Sequence, residues 1–149
     1  MTRLRLPYPL VLAWNQSIRV NSITCHEQVA ASLGRILQNV LRLYGREGIE
    51  QLRLNQWGGC LNVRKIRGGS NYSIHSWGAA NDWLPQENGL YTPWEQSRFS
   101  EPAYIDFVNA HIIEGWEPLG LSFGRDSMHF QACDNDVQPL ATNQYLRAA

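Results

Sequence analysis

The sequence has no apolar run approaching the 18 or so residues of a membrane-crossing helix, which excludes a transmembrane segment of that kind. It has no net charge, since thirteen basic residues balance thirteen acidic ones. Bulk charge therefore gives no argument for a polyanionic partner, and no nucleic acid is expected. Cysteine is scarce: Cys25, Cys60 and Cys133 are far apart and form no C-x-x-C pair. An odd number at such spacing argues against a disulfide scaffold and leaves room for one bridge at most. The apolar stretch from Leu6 to Trp14 is short, is interrupted by Pro7 and Pro9, and lacks a small-x-small cleavage site. No secretory signal is expected, and synthesis in the cytoplasm follows from that. Repeats and low-complexity segments are absent too, and charged residues are only 17% against 44% hydrophobic, which excludes a disordered chain.

What is there fits one domain. A chain of 149 residues buries about two-thirds of its surface on folding, enough for a core without disulfide or metal staples. The charge is unevenly spread: residues 1–67 hold ten basic residues and three acids, and residues 68–149 hold three and ten. Either the halves interleave and neutralise one another, or a basic face meets an anionic polymer.

Residues 1–23 read as Pro-bounded and irregular, with a short extended piece at Ser17 to Val20. Thr24 with Glu27 matches a capping box, and Val29, Leu33, Ile36, Leu37, Val40, Leu41 and Tyr44 follow at helical spacing, with Gly45 placed as a stop. Gln51 to Asn55 and Leu61 to Ile66 alternate as half-buried strands do, around Gly58-Gly59. Residues 85–100 have the composition of a long surface loop, and Glu101-Pro102 opens a second helix that Gly115 ends. Leu119 to Phe123 and Met128 to Cys133 are short strand candidates. Helices and strands occur in blocks without βαβ alternation, so the expected class is α+β, a single domain with a mainly antiparallel sheet and flanking helices. Its core is expected over about residues 17–133, with a loosely ordered polar tail over about 134–149.

The chemistry concentrates in Ser73-Ile-His75-Ser-Trp-Gly-Ala-Ala-Asn-Asp82 and Asp126-Ser-Met-His129-Phe-Gln131. His75, Asp82 and His129 supply two imidazoles and one carboxylate. A catalytic zinc uses three protein ligands and leaves a position for water. His75 and Asp82 are seven apart, so a turn through Gly78 must bring them together, and His129 must arrive from a distant strand. Asp126 stands three before His129, which in a regular strand would put them on opposite faces. A bend at Arg125–Ser127 is therefore expected, which lets Asp126 reach water at the metal without ligating it. The same side chains taken singly read as ordinary core or surface residues, and His26 and His111 keep that reading. Cys133 lies about 13 Å along an extended strand from His129, and Cys60 reads as a buried small residue.

The run S-I-H-S-W-G-A-A-N-D resembles the S-x-H-x-x-G-x-A-x-D signature of the zinc D-alanyl-D-alanine carboxypeptidase and L-alanyl-D-glutamate endopeptidase family. D-S-M-H-F-Q is similar to that family's second signature, in which an Asp or Glu stands three before the last His ligand. Gly59-Cys60-Leu-Asn-Val-Arg64 is similar to its upstream arginine-bearing segment. The resemblance spans about residues 57–132 and implies a Hedgehog/DD-peptidase-like fold. It makes His75, Asp82 and His129 the Zn2+ ligands and Asp126 the general base for peptide-bond hydrolysis by zinc-activated water. Many members have Glu where Asp126 stands, and several have Glu in place of Gln131.

The leading expectation is a peptidase acting on peptidoglycan peptide stems, of the kind found in phage endolysins, a monomer that reaches the cell wall after release from the cytoplasm. Alternatives are a D-alanyl-D-alanine carboxypeptidase and a zinc-holding, non-catalytic module of the same fold. Arg64, with Arg67 in reserve, is the candidate for stabilising the oxyanion, against the alternative of a solvated loop edge. Ser73, two before His75, would share its face in an extended strand and fix a ligand's orientation. Trp77 either walls a substrate cleft or belongs to the core. Glu114 and Glu117 are the next carboxylates in line should Asp126 not be the base.

Overall fold

The computed structural model describes residues 1–66 and 68–141, and Arg67 lies outside the described residues. Residues 2–25 form a β-hairpin of two long strands, β1 (Thr2–Leu12) and β2 (Asn15–Cys25). The irregular N-terminus expected from Pro7 and Pro9 is therefore wrong, and the core begins well before residue 17. The prolines sit where the β1–β2 register shifts, between the Arg5↔Ser22 and Leu10↔Val20 pairs. A bulge is where a residue without an N–H does least damage to a ladder. Leu6, Tyr8 and Leu10 still alternate inward across it.

Helix α1 (Glu27–Leu52) buries Leu33, Ile36, Leu37 and Val40, the i, i+3, i+4, i+7 stripe, against β1. Its N-cap is His26, whose Nδ1 accepts from Gln28 N at 3.1 Å, and not Thr24, which pairs with Arg3 inside β2. Gly45 breaks the helix at φ 68° without ending it, and a second segment carries Ile49 into the core. Residues 51–55 are consequently the helix end and a turn at left-handed Arg53, and the strand starts later, as β3 (Gln56–Gly59). Residues 61–66 form no regular strand; a single bridge joins Lys65 to Tyr72, and Leu61, Val63 and Ile66 are exposed.

The remaining strands are β4 (Ala80–Trp83), β5 (Trp116–Pro118) and β6 (His129–Ala132). Together they make one six-stranded sheet of order β2-β1-β3-β4-β6-β5, antiparallel except for the β1–β3 pair. Helix α2 (Ile105–Ile113) follows a 3-10 turn at Pro102–Tyr104, packs on α1 and β5, and is followed by Gly115 at φ 82°. The domain is α+β, as expected. The strand expected at 119–123 is a short helix, Leu119–Ser122, one element later than β5. Residues 85–100 carry two 3-10 turns and bury Asn88, Ser97 and Phe99, so this segment is part of the core as well as surface. Phe99, Phe107, Phe130 and Trp83 form its aromatic centre. Before residue 142 the C-terminal segment is anchored: Asn109 exchanges two 2.7 Å hydrogen bonds with the Leu140 backbone. The halves of the sequence do interleave, since Arg35 meets Glu114 and Arg53 meets Glu87.

Candidate metal centre

Ser73 does not stand in an extended strand. It caps a 3-10 turn, Ile74–Trp77, with its Oγ accepting from His75 N at 3.3 Å. The turn closes at Gly78, where the chain takes φ 65° and the Gly78 N–H donates to the His75 carbonyl. A Cβ there would stand 3.0 Å from His26 N, so both the conformation and the space call for glycine. This tight reversal sends the chain straight into β4 and brings Asp82 back beside His75, as the seven-residue spacing requires. Asp82 and His129 are directly opposed across the β4–β6 ladder, which places their side chains on one face of the sheet.

Three donor atoms converge there. His75 Nε2 lies 3.1 Å from His129 Nδ1 and 3.3 Å from Asp82 Oδ1, and His129 Nδ1 lies 3.5 Å from Asp82 Oδ1. Ligand atoms about 2.0–2.1 Å from a tetrahedral ion are about 3.3 Å apart, so these three edges fit a zinc-sized ion. Among the described residues, these are the three His, Cys, Asp or Glu side chains grouped closely enough to hold a metal. Asp82 Oδ1 is buried with no hydrogen bond of good geometry, an acceptor left for something else.

The other nitrogen of each ring is engaged. His75 Nδ1 is 2.9 Å from the Cys60 carbonyl, which only accepts, so Nδ1 carries the proton and Nε2 presents its lone pair to the cluster. His129 Nε2 is 2.8 Å from Gln131 Oε1, and the same logic leaves His129 Nδ1 free to ligate. Burial opposes the charge on Asp82, but the two imidazoles beside it, His129 and His75, outweigh that and hold the carboxyl below the usual range. His129 is shifted the other way: burial lowers it, and Asp82 more than compensates. The grouping of two imidazoles and a carboxylate is compatible with a metal site.

Asp126 occupies the expected bend. It is left-handed, with φ 62°, and its carbonyl accepts from His129 N at 3.1 Å, so the turn that bears it leads directly into the ligand strand. Burial raises its carboxyl, and it feels the charges of His129, Asp82 and His75. Arg64 is half-buried, with its backbone tied to the His75 turn: its N–H donates to Ser76 Oγ, and its carbonyl accepts from Ser73 N. Trp77 is 50% exposed, with Tyr72 edge-on at 6.3 Å, so a core role is ruled out.

Of the fallback carboxylates, Glu114 pairs with Arg35, and Glu117 faces Gln131 and Cys133. Cys60 is no ligand. Its thiol, pushed up to about 12 chiefly by burial, donates to the Gly78 carbonyl. All three cysteines are free thiols. The sequence-based reading missed what Gln131 does, although the two-residue period of a strand already places it on the face of His129. No protein-family model, curated protein or solved structure matches the chain.

Proposed function

We propose that the protein is a zinc metallopeptidase that hydrolyses peptide bonds in the peptide stems of bacterial peptidoglycan, an endopeptidase of the L-alanyl-D-glutamate type such as phage endolysins use. The observation that carries the metal is the triangle of His75 Nε2, Asp82 Oδ1 and His129 Nδ1, with edges of 3.1–3.5 Å and both outer ring nitrogens already engaged. The substrate class rests on the motifs around His75 and His129.

Zinc held by these residues would supply a Lewis acid that activates water near neutral pH and polarises the scissile carbonyl. The protein's own share begins with Asp126. Its carboxylate takes the proton of the attacking water and passes it to the leaving amine. Partial burial raises the basicity of that carboxylate, which suits the task. The oxyanion that develops on the scissile carbonyl needs a donor, and Arg64, held against the ligand turn, is our assignment for it. Trp77 and Tyr72 form an exposed aromatic pair beside the turn, suited to walling the bound peptide. The enzyme would meet its substrate after release from the cytoplasm. Mass spectrometry of purified peptidoglycan after digestion tests the proposal: stem peptides cut at one bond support it and name the bond. Unaltered muropeptides after incubation with zinc-loaded protein would reject it.

A further inference from the structure

The face of the sheet that carries Asp82 and His129 carries a second cross-strand pair. Strand β6 lies between β4 and β5, so His129 faces Asp82 on one side while Gln131, two residues on, faces Glu117 on the other. The four side chains form a row. Gln131 Nε2 donates to Glu117 Oε2 at 3.3 Å, and Gln131 Oε1 is 2.8 Å from His129 Nε2. Cys133, next along the same face, donates its thiol to Glu117 Oε2 at 2.8 Å.

We infer that Glu117 is a positioning residue for the metal centre: through the Gln131 amide it sets which nitrogen of His129 carries the proton. The reasoning rests on the metal centre proposed above. An amide has two ends of opposite character, and nothing in its shape prefers one orientation. A carboxylate can only accept, so Glu117 must draw the NH2 end of Gln131 toward itself. The carbonyl end then points at His129, and Nε2 must be the protonated nitrogen. Nδ1, the atom aimed at His75 Nε2 and Asp82 Oδ1, is then the nitrogen left to bind a metal ion. With the amide reversed, its NH2 would face His129 Nε2, the proton would move to Nδ1, and the ligand position would be blocked. Burial opposes the charge on Glu117, but hydrogen bonds from Cys133, Ser122 and Gln131 keep it ionised. A neutral glutamine thus transmits the orientation that a carboxylate would otherwise impose on the histidine directly.

The test reverses the polarity of the row. Glu117→Lys puts a donor-only group where the acceptor was, which turns the amide around. Zinc affinity, read by competition with a chromophoric chelator, should fall by about 10- to 100-fold, the usual cost of losing such a partner. Adding Gln131→Glu to that variant supplies an acceptor for both the lysine and His129 Nε2, and should recover most of the affinity. Nitrogen-15 spectra of the metal-free protein give a readout that general loosening would not mimic. His129 Nε2 should be protonated in the wild type and unprotonated in Glu117→Lys. The relay is overturned if Glu117→Lys keeps wild-type zinc affinity while His75→Ala loses it, a result that leaves the metal centre standing. Affinity unchanged in both variants would overturn the metal centre and the relay together. A double variant no better than Glu117→Lys would likewise overturn the relay.

Discussion

Replacing His111 by phenylalanine should remove a large part of the protein's sensitivity to mild acid. His111 is wholly buried on α2, ringed by Phe130 at 4.3 Å, Phe107 at 4.9 Å, Trp83 at 6.2 Å and Trp116 at 6.4 Å. Its Nδ1 donates to the Phe107 carbonyl, while Nε2 has no partner. Burial pushes the ring down to about 4 from an unfolded value of about 6.5. The fold therefore holds the ring neutral, whereas the unfolded chain takes up a proton below pH 6.5. Stability from this group is full above about pH 6.5, falls as the pH drops, and stops falling near pH 4, where the folded ring also protonates. At about 1.36 kcal/mol per pKa unit, the loss across that window is about 3 kcal/mol, a large fraction of a domain's stability. The carboxylates held low, Asp82 and Glu87 among them, lose their contributions at lower pH and do so equally in both proteins. Urea denaturation of wild type and His111→Phe from pH 7.5 to 4 measures the difference. A slightly oversized ring shifts the level of the variant's curve without changing its slope with pH. The wild type should lose about 3 kcal/mol more than the variant across the window. Parallel curves would show that His111 is not held neutral by its burial.

Three further outcomes follow from the site. Asp126→Asn, which tolerates the left-handed backbone better than alanine, should cut turnover on cell walls by about 10²–10⁴-fold with zinc still bound; near-normal lysis would assign the proton to another group. In Arg64→Ala, kcat and kcat/KM on a soluble stem peptide should fall together by about 10²–10³-fold, and a change confined to KM would make Arg64 a docking charge. Gly78→Ala puts a Cβ at φ 65° and 3.0 Å from His26 N, so it should cost about 1–2 kcal/mol in denaturant titration and weaken zinc binding; unaltered stability would mean the turn relaxes freely.

How much could be read from the sequence depended on the range of the interactions. The Ser73–Asp82 and Asp126–His129 segments are local patterns, and the Gly78 reversal and the Asp126 bend that their spacing demands are both present. The hairpin was hidden because Pro7 and Pro9 mask a strand whose register shift accommodates them, which only the pairing with β2 reveals. Leu52 and Leu54 alternate like a strand although they belong to a helix end and the turn after it, since two residues cannot distinguish the two periods. The Glu117–Gln131 contact required the neighbour of β6 and its register, and neither is encoded within either segment.

Elemental analysis of protein purified without added metal tests whether His75, Asp82 and His129 hold one zinc ion. The wild type should carry about one zinc per chain, with a large loss in both His75→Ala and His129→Ala, because two remaining donors cannot complete a tetrahedral site. Metal-free wild-type protein that takes up no zinc on titration, or a zinc content unchanged by both substitutions, would contradict it.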